Sequence, residues 1–374
     1  MNIPQLRFPE FKGEWERKKL GEVAEINPSN KSLPETFIYI DLESVSNGEL
    51  LKENQITKDE APSRAQRILK ENDILFQMVR PYQMNNLFFN RNGDYVASTG
   101  YAQIRTQQNS KFVFQYLHFQ KFVDKVIERC TGTSYPAINS TDLSNIELSF
   151  PTLPEQTKIA NFLTAVDEKI QALKKKQILL EQYKKGVMQK LFSQELRFKD
   201  ENGNDFPDWE VKKFGEVLES ISTKKYQIKA TEFKVNGKYK VIDQGQDLIA
   251  GYSDSENNVF KNLPVIVFGD HTTILKFIDF SFIVGADGTK LLKSRNNDDL
   301  KYLFYNLEYN NVKQEGYKRH YTMLSEAYLQ IPTLPEQTKI ANFLSSIDEK
   351  INHTKTQIEK MQEWKKGLLQ QMFV

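Results

Sequence analysis

Pro151-Thr152-Leu153-Pro154-Glu155-Gln156-Thr157-Lys158-Ile159-Ala160-Asn161-Phe162-Leu163 returns letter for letter as Pro332 to Leu344, 181 residues further along a chain of 374. Extended without a gap, residues 151–192 and 332–373 agree at 23 of 42 positions. A shorter echo opens each half, where Trp15-Glu16-Arg17-Lys18-Lys19-Leu20-Gly21-Glu22-Val23 parallels Trp209-Glu210-Val211-Lys212-Lys213-Phe214-Gly215-Glu216-Val217. A period this long is a domain duplication, since solenoid units run to roughly 20–50 residues. The start and the close of each half are alike and the interiors differ. That pattern suits a symmetric frame carrying two different readers; an old duplication in which only the core stayed similar would leave the same trace.

The repeated segments read as long helices. After Thr152, apolar residues fall at Ile159, Leu163, Val166, Ile170, Leu173, Leu180, Val187 and Leu191, alternating three and four apart as in a coiled-coil seam. The second copy keeps the frame with Ile340, Leu344, Ile347, Ile351, Ile358, Met361, Leu368 and Met372, and Phe162 and Phe343 widen the stripe at equivalent places. Two helices of identical register can zip together, so these side chains are the expected pairing set. Thr152-x-x-Glu155 and Thr333-x-x-Glu336 have the form of capping boxes, with proline in the first turn where its missing N–H costs nothing. Lys184 and Lys365 interrupt the seam beside Tyr183 and Trp364 and read as lysines snorkelling from frayed helix ends. At ~1.5 Å per residue, about 38 residues make a rod near 57 Å long.

Composition bounds the class. With 39% apolar and 12% aromatic residues the chain is globular, with room for two or three domains. The single cysteine, Cys130, excludes a disulfide framework and zinc-ribbon spacing and suits a reducing compartment. There is no signal-peptide pattern, and no apolar run approaches the ~18 residues that span a bilayer, so a soluble cytoplasmic protein is expected. Net charge is +2, of which the two repeated segments carry +4 and +1, leaving the rest near −3. A DNA binder with that balance needs local basic clusters, or a partner that supplies phosphate contacts.

The interiors read as mixed α/β. In the first half Asp73–Val79 and Tyr95–Ser98 look like strands and Phe112–Ile127 like a helix. In the second, Pro264–Phe268 and Phe280–Val284 are apolar runs bounded by Gly269-Asp270 and Gly285-Ala286-Asp287-Gly288, and Leu300–Tyr309 is helical. Loops rich in Arg, Tyr, Gln and Asn lie between: Arg80-Pro81-Tyr82-Gln83-Met84-Asn85-Asn86, and Tyr317-Lys318-Arg319-His320-Tyr321. Such side chains address base edges, since Arg pairs bidentately with guanine and Asn or Gln with adenine. The candidate DNA-contacting set is Arg80, Tyr82, Gln83, Asn85, Asn86, Tyr101 and Tyr135, with His271, Lys290, Lys318, Arg319, His320 and Tyr321.

Catalytic patterns are missing. Pro207-Asp208-Trp209-Glu210-Val211-Lys212 holds the letters of a nuclease set, but its acid and its Glu-x-Lys are adjacent instead of converging from separate strands. Asn27-Pro28-Ser29-Asn30 lacks the second proline and the aromatic of an adenine-methyltransferase motif. No phosphate-cradling glycine loop and no His-Glu-x-x-His occurs, and His118, His271, His320 and His353 have no ligand spacing. No catalytic or metal-binding residue is assigned.

Through Leu153–Leu163 and Leu334–Leu344, the Trp-x-x-Lys-Lys-x-Gly-Glu-Val openings and the Asp73-Ile74-Leu75-Phe76 strand, the chain closely resembles the specificity subunit of type I restriction-modification enzymes over essentially its whole length. Asn72 stands where that family's strand has a preceding glycine, which leaves the turn before it open. The resemblance implies an α+β fold with target recognition domains at 1–150 and 194–331. Long coiled-coil helices at 151–193 and 332–374 would separate and join them, paired antiparallel with pseudo-twofold symmetry. It implies a non-catalytic reader of a bipartite site in double-stranded DNA, on which two methyltransferase subunits and two restriction/translocase subunits dock. S-adenosylmethionine, ATP and magnesium would belong to those partners and no cofactor to this chain. The alternative is a coiled-coil scaffold joining two protein-binding domains, for which the mild net charge is the argument.

Overall fold

The computed structural model describes residues 2–30, 32–46, 48–285, 287–316 and 318–374; Ala286 and Tyr317, from two of the turns quoted above, lie outside the described residues. The structure is mixed α+β and forms two compact units, one of residues 1–175 with 355–374 and one of residues 176–354. The long helices are Leu153–Phe192 and Leu334–Met372. Each unit therefore holds one sheet-bearing domain, the start of one helix and the end of the other.

Sheet order is the same in both units, although the interior sequences have drifted. In the first, Glu16–Lys19 pairs with Glu147–Phe150, one sheet runs Ala24–Ile26, Tyr101–Thr106, Ile74–Gln77, Leu87–Phe88, and another runs Asn54–Thr57, Thr36–Ile40, Tyr95–Ser98, Ala65–Ile68. The second repeats this with Glu210–Lys213 and Tyr328–Ile331, then Leu218–Ile221, Thr289–Ser294, Val265–Gly269, Leu275–Ile278, then Gly251–Ser253, Tyr239–Ile242, Phe282–Val284, Val259–Phe260. Even a parallel strand pairing recurs, Thr36–Ile40 with Tyr95–Ser98 and Tyr239–Ile242 with Phe282–Val284.

The central strands explain the apolar runs. Ile74 and Phe76 face the core shared with the helices, while Leu75 enters a second core on the opposite side. Ile266 and Phe268 divide from Val265 and Val267 in the same way. A strand covered on both faces has no polar side, so its residues read as a continuous apolar run. Asn72 takes φ 70°, the left-handed conformation that a glycine would supply and that Asn tolerates best among larger residues. The helix expected at Phe112–Ile127 is two, Ser110–Tyr116 and Gln120–Ile127, parted at Leu117-His118-Phe119. Phe119 is extended and the His118 Nδ1 bonds the Phe114 carbonyl, and the turn lets Phe112, Val113, Tyr116, Phe122 and Val126 all reach one core.

The identical Pro-Glu-Gln at each helix start works as a clamp. Glu155 is 1% exposed and accepts a bidentate pair from Arg7 at 2.7 and 2.8 Å, plus the Trp15 indole N–H at 3.3 Å. Glu336 is 0% exposed and takes the same three bonds from Arg197, at 3.2 and 2.8 Å, and from Trp209, at 3.0 Å. The next residue holds a domain helix: the Gln156 Oε1 accepts from the Asn109 N–H and the Gln337 Oε1 from the Asp299 N–H, those two residues being the caps of Ser110–Tyr116 and Leu300–Tyr309. The capping boxes expected from Thr152 and Thr333 are thus not formed, because each glutamate is drawn to a guanidinium and an indole; the Thr333 hydroxyl is buried without a partner. The arginines recur in Leu6-Arg7-Phe8 and Leu196-Arg197-Phe198, an echo shorter than those read from the sequence.

The end of the opposite helix arrives at the same clamp. Phe373 packs edge-on to Trp15, and Phe192 does so on Trp209. Of the pairing residues, Ile159, Leu163, Val166, Ile170, Leu173 and Ile358 are buried and Phe162 and Met361 half-buried in the first unit; in the second, Ile340, Leu344, Ile347 and Ile351 are buried and Leu180 and Phe343 half-buried. The lysines do not snorkel from frayed ends. Lys184 bonds Asp348 of the opposite helix at 2.9 Å, and Lys365 bonds Asp167 at 2.6 Å, with lysine side chains only 13% and 17% exposed. These are one contact made twice, since 184 and 365, like 167 and 348, are 181 apart. Each aspartate also accepts from its own unit's domain helix, Asp167 from Gln115 and Asp348 from Tyr305.

Glu155→Gln leaves the partly enclosed Arg7 without its counter-charge, and Glu336→Gln leaves Arg197 only the more distant Asp208 carboxylate at 3.9 Å; each should cost about 2–4 kcal/mol, less than a fully buried pair because the arginines retain some solvent. Denaturant unfolding checks this: a loss within about 0.5 kcal/mol, the range of ordinary surface changes, would show that the clamp holds nothing.

Candidate nucleic-acid interface

Both units bring two loops together at the end of the central strand. In the first, the chain leaves Ile74–Gln77, and the Met78 carbonyl accepts from the Ile138 N–H while the Arg80 N–H donates to the Pro136 carbonyl at 2.7 Å. The loop 78–86 is thereby tied to the loop 131–138. Arg80 and Met84 flank the 3-10 turn Pro81–Gln83, both left-handed at φ 53° and 52°. For residues other than glycine this costs on the order of 1 kcal/mol each and persists only where the surroundings impose it.

Here Gln77 and Asn86 impose it, at 3% and 1% exposure. The Gln77 amide donates to the Val79 carbonyl and to the Gln83 Oε1, its own Oε1 accepts from the Asn85 N–H, and its backbone N–H donates to the Asn86 Oδ1. Asn86 Nδ2 in turn approaches His118 Nε2 at 3.4 Å. Outside this scaffold the Arg80 guanidinium lies over the Tyr135 ring, 4.2 Å from its centre, and its Nε is buried without a hydrogen-bond partner. Tyr135 is 65% and Tyr82 47% exposed, and Gln83 is exposed beside them.

In the second unit Asp270 follows Val265–Gly269. Its carbonyl accepts from both the backbone N–H and the Nδ1 of His320, and its carboxylate accepts from the Tyr321 N–H. Because the Glu315 N–H must donate to His320 Nε2, the ring hydrogen belongs on Nδ1. The next residue, His271, meets the Lys318 carbonyl through Nδ1 at 3.0 Å. Lys318 and Arg319 project to solvent, Lys318 also reaching Glu315, and Lys290 sits 5.3 Å above the Tyr321 ring.

Three of the expected DNA-contacting residues are corrected by their placement. Asn86 is the internal strut just described. Tyr101 is 0% exposed, packed in the core beside Leu75 and Leu87, where burial pushes its phenol pKa up. His320 is 0% exposed and spends both ring nitrogens on loop closure. A polar residue type in a loop does not reveal whether it faces out or braces the loop from within. Tyr321 is half-buried against Phe214 and Phe268. Sequence reading missed Gln77 altogether, as it ends an apolar strand.

A family model described as type I restriction modification DNA specificity domain matches residues 12–182 and 207–363. The chain belongs to that family. It is similar to the MjaVIII specificity subunit of Methanocaldococcus jannaschii, 27% identical over 408 residues that cover 97% of this chain and 92% of that one. The fold matches the crystal structure of a type I restriction-modification S subunit from M. genitalium at a TM-score of 0.66, 16% identity and coverage of 100% and 99%. A further type I system structure matches at a TM-score of 0.56 and 19% identity, over 95% of this chain and 96% of that one. The role of this chain is DNA sequence specificity in a type I restriction-modification system, without catalysis of its own. Among the described residues, no three His, Cys, Asp or Glu side chains gather as a metal site would require, and no helix is long and apolar enough to cross a membrane.

His118 gives the first unit a pH signature. Burial, with Lys365 nearby, lowers its pKa to about 4 from an ordinary value of 6.5. Between those values the unfolded chain takes up a proton that the folded chain refuses, so stability falls as pH drops from about 6.5 towards 4 and is independent of this group above. Since part of the ring still meets solvent, the loss should be about 2 kcal/mol. Thermal unfolding of His118→Gln should show a shallower slope across that window, and equal slopes would remove His118 from the account.

Proposed function

We propose that each domain reads one half of a bipartite duplex site through its pair of tied loops. In the first domain the readers are Arg80, Tyr82, Gln83 and Tyr135, with Asn85 at the loop's base; in the second they are Lys290, Lys318 and Arg319, with His271 and Tyr321 supporting them. The observation that carries this reading is Arg80, a guanidinium stacked on an exposed tyrosine and presented by a left-handed backbone. Stacking fixes the plane of the fork while leaving its outer N–H groups to donate, the arrangement that suits the paired acceptors of guanine.

The braces described for each loop pair come from its own unit, which supports independent reading of the two halves. The frame made twice, with its clamps and lysine–aspartate pairs, supports partners bound in pairs: two methyltransferase subunits and two restriction/translocase subunits. S-adenosylmethionine, ATP and magnesium serve those partners in this reading, and the complex works in the cytoplasm. The partners also contribute phosphate contacts, which suits a chain of net charge +2.

Arg80→Ala should cost roughly 1–3 kcal/mol in binding by the assembled complex and relax one base position of one half-site. Methylation mapping with competition binding decides the role: a loss uniform over all sequences makes Arg80 a phosphate contact, and no loss takes it out of the interface. Exchange of residues 210–331 for the segment of another family member should alter one half-site alone; a change in both would end the claim of independent reading.

A further inference from the structure

The second domain holds its candidate reading surface with two side chains that the sequence does not point to. Lys276, on strand Leu275–Ile278, is only 6% exposed, and its Nζ donates to the carbonyls of Asp243 at 2.9 Å and Asp247 at 2.6 Å. The Asp243 carboxylate lies 3.9 Å away. A cation enclosed this way is tolerated because carbonyl dipoles replace its water, so the lysine ties the two ends of segment 243–247 together.

That segment delivers Gln244 to the meeting point of three loops. Its Oε1 accepts from the His271 N–H at 3.0 Å, its backbone carbonyl accepts from the Thr272 hydroxyl at 2.6 Å, and its Nε2 donates to the Asp287 carbonyl at 3.1 Å. The space is fitted to it: a Cβ on Gly288 would lie 2.7 Å from the Gln244 amide, and one on Gly269 3.0 Å from the Gln244 Cβ. His271, fixed by Gln244, is the residue whose ring meets the Lys318 carbonyl. A continuous path thus runs from Lys276 through Gln244 and His271 to the loop that carries Lys318 and Arg319. The corresponding segment of the first domain is closed differently, by the Asp41 carboxylate accepting from the backbone of Glu43 and Ser44.

We infer that Lys276 and Gln244 are positioning residues that set the base selectivity of the second domain without touching DNA. The inference rests on the reading of Lys318 and Arg319 as DNA contacts. Loops displaced by the loss of either side chain would misplace their donors relative to base edges, whereas the first domain, braced by its own residues, would read as before.

The test uses the complex assembled with its methyltransferase subunits and three duplexes derived from genomic sites it methylates: intact, first half scrambled, and second half scrambled. Gln244→Leu, at a half-buried position, and Lys276→Met are compared with the parent, with thermal unfolding as the check on folding. For Gln244→Leu, discrimination against the scrambled second half should fall roughly tenfold, about the weight of a base contact, while discrimination at the first half stays within about twofold. Lys276→Met should do the same wherever it folds, and Gln244→Leu decides the matter if it does not. Unchanged discrimination at the second half, or equal loss at both, overturns the inference. A parent complex that cannot tell the three duplexes apart would instead overturn the DNA-reading assignment itself.

Discussion

A carboxylate taken out of water at each helix start organises the molecule. Glu155 and Glu336 are buried, and a buried charge is tolerable only where its acceptors are filled by strong donors. Arg7 and Trp15 fill one, Arg197 and Trp209 the other. The requirement binds together parts of the chain distant in sequence: the opening of the domain, the first turn of one helix and, through the tryptophan's packing on Phe373 or Phe192, the last turn of the other. Within the thirteen consecutive residues that are identical in both copies, the buried positions carry the same duties twice. The glutamate takes the clamp, the glutamine the cap of a domain helix, and Ile159, Ala160 and Leu163 the core.

With its ends so held, each domain interior is free to change. Strand order survived, including a parallel pair, while the residues of the loops did not. The two loop pairs are accordingly built by different means on the same plan. The first uses Gln77 and Asn86 beneath strained backbone at Arg80 and Met84; the second uses Asp270, His320, Gln244 and Lys276 beneath closely fitted glycines. In both, the groups that close the loop are buried or half-buried, while Tyr82, Gln83 and Tyr135 in the first and Lys318 and Arg319 in the second are exposed. Such a division lets the loops change without disturbing the two long helices.

The lysine–aspartate pairs serve a second constraint. A seam of Ile, Leu and Val alone would tolerate a shift of one heptad at modest cost. Lys184 and Lys365, lying inside it, do not, because a shift would strand an ammonium among apolar side chains. Asp167 and Asp348 accept from Gln115 and Tyr305 as well, so the same acid ties helix register to the domain alongside.

The sequence by itself determined the duplication and the two long helices, because periodicity and repetition are written along the chain and need no knowledge of what lies opposite. The resemblance to specificity subunits, and through it the α+β type of fold, lay in those repeated stretches and in the Asp73-Ile74-Leu75-Phe76 strand. Tertiary structure alone decided which of the candidate polar residues face outward and which are struts. Asn86, Tyr101 and His320 have the residue types of a DNA contact yet lie inside, while Gln77, Gln244 and Lys276, unremarked in the sequence, hold the loops in place. It also decided that Glu155 closes a clamp and not a cap, and that Lys184 is paired. The physical reason is the same in each case: a hydrogen-bonding side chain is used by whichever partner the fold brings within about 3 Å, whether that partner stands 2 residues away, as Val79 does from Gln77, or 148 away, as Arg7 does from Glu155.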